Sequence, residues 1–364
     1  MNEFVFIIFW IGFIAIIAKY APLKRKELVC GVEEERYPWL FAAIVFLPIV
    51  WMAATRGDIA DTINYRLNFQ HDMPDSFSGI SEYMSGITKD YLFYLISAII
   101  KVIIGNNYVV YFAVLATIQA ISLLSIFRKY SCDYVFSVFL FVASADYFWM
   151  FNGIRQFLAA TIMFLGTALV VNKKFVPLII LIVFASTFHQ SALIMIPIVF
   201  LVQGEVWNKR TVAFLATAIL VIFFVDRFTN LLDSLLTDTQ YSNAMTYSDW
   251  DDDGTNPFRV AVYCVPAVIS FIGRKKINEL NIPLINICAN MSIVSASLYL
   301  VSMVTSGIVF GRLPIYVSLF SYILLPWELN NLFEEDMKKI IYGLAIVLYL
   351  IFYYYQMHIT WGMF

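Results

Sequence analysis

Charge is scarce in this sequence of 364 residues: Asp, Glu, Lys and Arg together supply 14%, against roughly 25% in a soluble domain. That scarcity excludes the highly charged, apolar-poor composition of disordered chains and the basic surfaces of nucleic-acid-binding proteins. Cysteine is sparse as well. Cys30, Cys132, Cys264 and Cys288 are scattered, with no C-x-x-C spacing. A disulfide-stapled scaffold is therefore excluded, and the four read as small buried hydrophobes. No Walker loop, G-x-S-x-G, H-E-x-x-H or zinc-ligand spacing occurs. No basic residue precedes the first apolar run, which holds Glu3 and is followed by Lys19. The run is expected to be a retained first helix rather than a cleaved signal.

Apolar residues are abundant, at 61% of the chain, and the mean hydropathy is +0.77. A soluble fold of this length could not cover so much apolar surface. The expectation is a single transmembrane domain over 1–364, an all-α polytopic integral membrane protein. Long unbroken runs without period-two alternation exclude a β-barrel. Twelve runs, near 3–18, 38–54, 108–127, 133–150, 156–171, 175–188, 190–203, 211–227, 258–273, 284–305, 310–327 and 339–356, give about twelve transmembrane helices at ~20 residues each. The two runs flanking His189 are short enough to form one broken hairpin. The run 91–104 is shorter still and carries Lys101, so it is expected to be re-entrant or interfacial.

Basic residues give the orientation, because Lys and Arg favour the cytoplasmic side. With the loop after the first span inside, alternation places sixteen of the twenty-four basic residues in the cytoplasm. They are Lys19, Lys24, Arg25, Lys26, Arg36, Arg128, Lys129, Lys173, Lys174, Lys209, Arg210, Arg274, Lys275, Lys276, Lys338 and Lys339. If 91–104 spanned, every later cluster would face outward. Both termini then lie outside, as do two long loops. Residues 55–90 hold six acids and three bases, and 228–257 hold six acids and no base. The cytoplasmic links are short apart from the first, so any chemistry belongs in the membrane or on its outer face.

Six of the eight outward bases are arginines: Arg56, Arg66, Arg155, Arg227, Arg259 and Arg312. They run against the insertion bias. Snorkelling, or pairing with Asp58, Asp146 or Asp226, would explain any one of them. As a set at one depth they would ring the outer boundary with guanidinium groups, which grip phosphate oxygens bidentately and keep their charge. A diphosphate just outside the acyl region, as on a polyprenyl-diphosphate-linked glycan, fits such a ring. Asp58 and Asp61 stand three apart, on one face if that stretch is helical, and read either as helix-end solvation or as a general base or sugar ligand. His189, in "ASTFHQSALIMIP", lies between two apolar runs, where an ionisable residue is a functional candidate. Tyr65, Tyr83, Tyr241, Tyr247 and Trp250 lie in the outer loops, as loop packing or as stacking faces for sugar rings. The stretch with Asp249, Asp251, Asp253 and Gly254 matches the first half of a calcium loop, but Val260 stands where its bidentate Glu belongs. An acidic lid is the better expectation, and no metal ligand is assigned.

The order "RGDIADTINY", "GIRQFLAATIMFLG", "FHQSALIMIP" and "FGRLPIY" resembles the EpsG-like branch of the Wzy-type polymerases of O-antigen, capsule and exopolysaccharide. The resemblance runs over most of the chain, and its "GIRQ" and "FHQSAL" pieces are the most specific. It implies a cofactor-free, metal-independent, inverting glycosyltransferase acting at the outer face of a bacterial inner membrane. The implied substrate is an undecaprenyl-diphosphate-linked oligosaccharide, with membrane lipids around it and a chain-length regulator and a flippase as further partners. It also implies an architecture like the C-type membrane glycosyltransferases. By matching position, Arg155, Gln156 and His189 correspond to the family, with Asp58, Asp61, Tyr65 and Arg312 as softer matches. His189, Asp58 and Asp61 are then the catalytic candidates, and Arg56, Tyr65, Arg155, Gln156, Arg259 and Arg312 the substrate-binding ones. Two rivals stay in view: an O-antigen ligase with the same donor, and a flippase or transporter. A transporter would want charge along a central path, whereas the charges here cluster at the two membrane edges.

Overall fold

The computed structural model describes residues 2–20, 23–29, 32–225 and 254–364. They are almost entirely helical, apart from one short antiparallel hairpin. The chain divides into two compact units, 1–196 with 348–364, and 197–347.

The first unit begins with α1 (Glu3–Tyr20), the hairpin β1 (Arg25–Val29) and β2 (Val32–Arg36), and α2 (Trp39–Thr55). Short helices α3 (Thr62–Leu67) and α4 (Phe77–Ser85) follow, then α5 (Tyr91–Ile104) and α6 (Tyr108–Tyr130). Next come α7 (Tyr134–Ala143), α8 (Ile154–Leu165), α9 (Thr167–Val171) and α10 (Phe175–Ser186). The long helix α6 is the centre of the packing, with α2 and α8 against it, while α1 packs on α7. Asn107 starts α6 by accepting the Val110 N–H at 3.2 Å, and Arg128 and Lys129 sit in its last turn. A side-chain acceptor at the first turn and cations at the last both satisfy the helix ends. The tail 348–364 joins this unit through Tyr353, whose hydroxyl donates to the Phe4 carbonyl at 2.8 Å and lies 2.9 Å from the Tyr147 hydroxyl.

The first two basic clusters meet at one end of this unit. Arg128 is buried, donates from Nε to the Tyr37 carbonyl at 2.6 Å, pairs with Glu27 and lies over the Trp39 ring at 4.4 Å. Arg36 Nε reaches the Lys129 carbonyl at 3.0 Å. The hairpin itself was not anticipated, since its charged, alternating strands read as a loop.

Several apolar runs that read as unbroken spans are broken helices. In 133–150, α7 stops at Ala143, Ala145 turns left-handed with φ 61°, and a 3-10 turn covers Asp146–Met150. The run after His189 opens as a 3-10 turn, Gln190–Ile194, before α11 (Met195–Leu201).

The second unit holds α12 (Lys209–Phe223), α13 (Pro257–Ile272), α14 (Arg274–Leu280), α15 (Pro283–Val304), α16 (Ile315–Ser318) and α17 (Ser321–Asn331). The helix α15 is buried along most of its length, with α12 and α13 packed on it. Gly273 marks the 67° bend between α13 and α14. A Cβ there would stand 2.4 Å from Leu332 Cδ1, so the Leu332 side chain packs directly onto this glycine. The last long helix is α18 (Glu335–Tyr354).

Among the described residues four helices are long and apolar enough to cross a membrane: Glu3–Tyr20, Tyr108–Tyr130, Pro283–Val304 and Glu335–Thr360. The bent pair Pro257–Ile272 and Arg274–Leu280 makes a fifth if it is one span. Six more apolar helices among the described residues are 10–17 residues long. The chain is a multi-pass membrane protein.

Candidate functional site

The segments that the sequence singles out in the first unit come together at one polar cluster. Its floor is the start of α8. Gly153, with φ 73° and ψ 37°, turns the chain into the helix, and its N–H donates to Asp61 Oδ2 at 3.1 Å. That bond fixes the early acidic segment against α8 across 92 positions of sequence.

Arg155 projects from the first turn of α8 and is a quarter exposed. Its Nη1 donates to Asp90 Oδ2 at 2.8 Å and to the Tyr94 hydroxyl at 3.0 Å, and its Nε to the Tyr65 hydroxyl at 3.3 Å. The guanidinium also lies 5.5 Å from the Tyr94 ring centre and 6.0 Å from that of Tyr65. Burial raises the Tyr65 phenol above its ordinary value, and the neighbouring Arg155 pulls it back. Tyr65 is thus a neutral donor and acceptor here, set by the cation beside it.

Gln156, one residue on, points its Nε2 at Ser191 Oγ, 3.2 Å away. Ser191 Oγ is 2.7 Å from His189 Nδ1. The "GIRQ" and "FHQS" segments are therefore joined side chain to side chain. A second link runs through the backbone, where the Gln190 N–H donates to Asp90 Oδ1 at 3.2 Å. His189 is partly exposed, in extended backbone after α10. If Nδ1–H donates to Ser191, then Nε2 carries the lone pair and can accept a proton; in the other tautomer it cannot.

Arg56 sits differently. It is 5% exposed, lies over the Phe112 ring at 4.0 Å and the Phe151 ring at 5.3 Å, and donates from Nη1 to the Met150 carbonyl. Its Nε and Nη2 have no hydrogen-bond partner among the described residues. Burial pulls this guanidinium down to about 10, so it is still charged at neutral pH. A buried cation with two unspent donors is costly unless an anion or water meets it.

The expected helical face shared by Asp58 and Asp61 is not there. The stretch between α2 and α3 is not helical. Asp58 is exposed and pairs with Arg66 at 2.8 Å, whereas Asp61 is spent on Gly153. The short range of a type-agnostic i, i+3 argument fails once the backbone leaves the helix.

In the second unit, Arg259 donates from Nε to the Tyr263 hydroxyl at 3.2 Å. It follows Asn256, which caps α13 by accepting the Phe258 N–H at 2.9 Å. Arg312 closes a 3-10 turn, Phe310–Arg312. The two arginine segments share one end of this unit. Thr255 donates its N–H to the Ser302 carbonyl at 2.9 Å, and a Cβ on Gly311 would stand 2.7 Å from Thr255 Oγ1. Gly254 lies at φ 79°, and a Cβ there would stand 2.7 Å from the Met303 carbonyl oxygen. Arg227, Tyr241, Tyr247, Asp249, Asp251 and Asp253, with Trp250, lie outside the described residues. Among the described residues no group of three or more His, Cys, Asp or Glu is placed to hold a metal ion.

Asp90, Tyr94 and Ser191 were not singled out from the sequence, and Lys101 only as a charge in the run 91–104. Lys101 is fully buried and reaches the Gln70 carbonyl at 3.1 Å, Asp75 at 3.2 Å and Asn106. In the second unit Glu328, on α17, is fully buried, and neither carboxyl oxygen has a partner among the described residues.

The fold and cluster define a multi-pass α-helical membrane protein with a hydrogen-bonded polar site, built from loop ends and one helix start around the Arg155–Asp90 ion pair. The chain belongs to the EpsG family, whose model matches residues 39–361. That membership supports a role in polysaccharide polymerisation. No curated protein and no solved structure matches the chain.

Proposed function

We propose that this protein polymerises lipid-linked oligosaccharide repeat units at the outer face of a bacterial inner membrane. The observation that supports the site is the meeting of Arg155, Gln156 and His189 in one cluster, within a chain whose family is shown. The donor is a growing glycan on undecaprenyl diphosphate. The acceptor is the non-reducing-end hydroxyl of a single lipid-linked unit. The acceptor oxygen attacks C1 of the donor sugar, the C1–O bond to the diphosphate breaks, and undecaprenyl diphosphate departs with the charge. One displacement of this kind inverts the anomeric centre.

Each side of the reaction has a candidate. The leaving diphosphate needs fixed cations. Arg155 stands at the mouth of the cluster, and Arg56 has two donors that phosphate oxygens would satisfy. Arg259 and Arg312, on the second unit, are further candidate cations for substrate. The attacking hydroxyl needs a base, and His189 meets this through Nε2 while Ser191 and Gln156 orient the ring. Asp61 acts through Gly153 and holds the start of α8. Asp58 is a surface ion-pair partner of Arg66.

The topology follows the basic clusters, with twelve spans in an arrangement like the C-type glycosyltransferases. In this reading α5 lies along the outer interface. Its first residue adjoins Asp90, in the cluster, while Lys101 at its other end holds Gln70 and Asp75. Both ends are thus tied to the segment 55–90, as a helix lying along one face would be. Loss of polymer in a strain carrying His189→Ala at wild-type protein level, with single repeat units accumulating, tests the reading. Normal chain lengths in that strain would remove His189 from the reaction.

A further inference from the structure

Asp90 is the one carboxylate in the cluster that holds two of its segments at once. Oδ2 accepts from Arg155 Nη1 and Oδ1 from the Gln190 N–H, at 2.8 and 3.2 Å. Its partners lie 65 and 100 positions away in sequence. Beside it, the Leu92 N–H donates to the Thr187 carbonyl at 3.0 Å, which closes the start of α5 onto the turn that carries His189.

Two features of Asp90 work against stability. Its backbone is left-handed, φ 54° and ψ 37°, where residues with a Cβ are rarely found, although Asp is among the more tolerant. It is only 8% exposed, and burial raises its carboxyl above the ordinary value despite Arg155. Asparagine would tolerate the left-handed turn and avoid a buried charge, but its single acceptor oxygen could serve only one of the two donors, Arg155 Nη1 or the Gln190 N–H. Costs of this kind collect at functional sites. What asparagine cannot do is hold the guanidinium by charge.

We propose that Asp90 is a positioning residue for the glycosyl transfer: it holds the Arg155 guanidinium and the His189–Gln190 backbone at a fixed separation, and yields the guanidinium to the incoming diphosphate. The inference rests on the polymerase reading above. Arg155 Nη2 has no hydrogen bond among the described residues, so a phosphate oxygen meets it first. Nη1 then exchanges Asp90 for a second oxygen. Asp90 thereby weakens ground-state binding, while its Oδ1 bond to the Gln190 N–H keeps the segment that carries His189 in place for the transition state. Removing its charge lowers KM and kcat together, the pattern expected when ground-state competition and alignment are lost at once.

The test uses the purified full chain, with inorganic diphosphate as the binding probe and a lipid-linked repeat unit as substrate. Asp90→Asn is expected to bind diphosphate about 3–10-fold more tightly, to lower KM by a similar factor and to lower kcat by roughly 10–100-fold, with the chain still folded at the assay temperature. Asp90→Glu keeps the charge but lengthens the reach, so kcat falls while diphosphate affinity stays at the wild-type level. It also keeps the question open to measurement if the Asn variant does not fold. Wild-type kcat and wild-type diphosphate affinity in either folded variant would overturn the proposal for that variant's feature, charge or length. A structural role alone would lower the melting temperature of both variants and leave the kcat and KM of the folded fraction unchanged, which also overturns it. If the wild-type chain binds diphosphate competitively with Asp90 yet makes no polymer, the polymerase reading fails and the partner exchange stands.

Discussion

Replacing Arg155 by lysine is the sharpest perturbation of the cluster. Arginine satisfies three acceptors from two nitrogens, at 2.8, 3.0 and 3.3 Å, with Asp90, Tyr94 and Tyr65 fanned around its plane. An ammonium is a point charge on a shorter, tetrahedral head and cannot reproduce that fork. The pair with Asp90 can re-form, while the Tyr65 bond at Nε is lost. A hydrogen bond to a charged group is worth about 1.5–3 kcal/mol, and the quarter exposure of Arg155 favours the lower end. The folded state should therefore lose about 1–2 kcal/mol. The loss at the reacting diphosphate is larger, about 2–4 kcal/mol, because the second phosphate contact goes with the fork; this corresponds to ~30–1000-fold in rate. Gel analysis of glycan ladders gives chain length, and thermal melting in detergent shows whether the protein is folded. Arg155→Ala should abolish polymer at retained insertion. Full chain length with Arg155→Lys would refute the bidentate role.

His189→Gln separates two roles for the imidazole: a dead variant, with a wild-type rate that rises with pH across the usual imidazole range of about 6–7, marks a base, and retained activity marks a ligand only. Burial raises Asp90, so the folded state binds its proton more tightly than the unfolded chain; that contribution to stability is full in acid and is lost as the pH rises through the folded value. Melting curves of Asp90→Asn against wild type should show the wild type losing ground as the pH rises from acid, and a constant gap would contradict the assignment. Glu328→Gln should keep activity and hold or raise stability, since neither carboxyl oxygen is bonded; an inactive but folded variant would favour transport through the second unit. Labelling by an impermeant thiol reagent in intact cells, after replacement of the native cysteines, should modify Glu82→Cys and spare Lys174→Cys, and the reverse would invert the topology.

The sequence carried the two motif segments because each is a local string beside an apolar run, and the structure joins them through Gln156, Ser191 and His189. It also carried the basic clusters that meet as Arg36, Arg128 and Lys129. Asp90 was not legible. It reads as one of six acids in a polar loop, and its partners lie 65 and 100 residues away, a distance at which no periodicity operates. Lys101 was visible as a charge in an apolar run, but its partners are a loop carbonyl and loop side chains. Helix breaks such as Ala145 leave no compositional trace, because a left-handed junction and a 3-10 turn can be built from apolar residues. Asp58 and Asp61 were paired on the assumption of a helix that the chain does not form there.

Purified protein in lipid vesicles, supplied only with a synthetic undecaprenyl-diphosphate-linked repeat unit, tests the central claim most directly. The account predicts a ladder of glycans, an inverted anomeric configuration at each new linkage by NMR, and no ladder with His189→Ala. Movement of the intact lipid-linked unit between leaflets with no new glycosidic bond would contradict it.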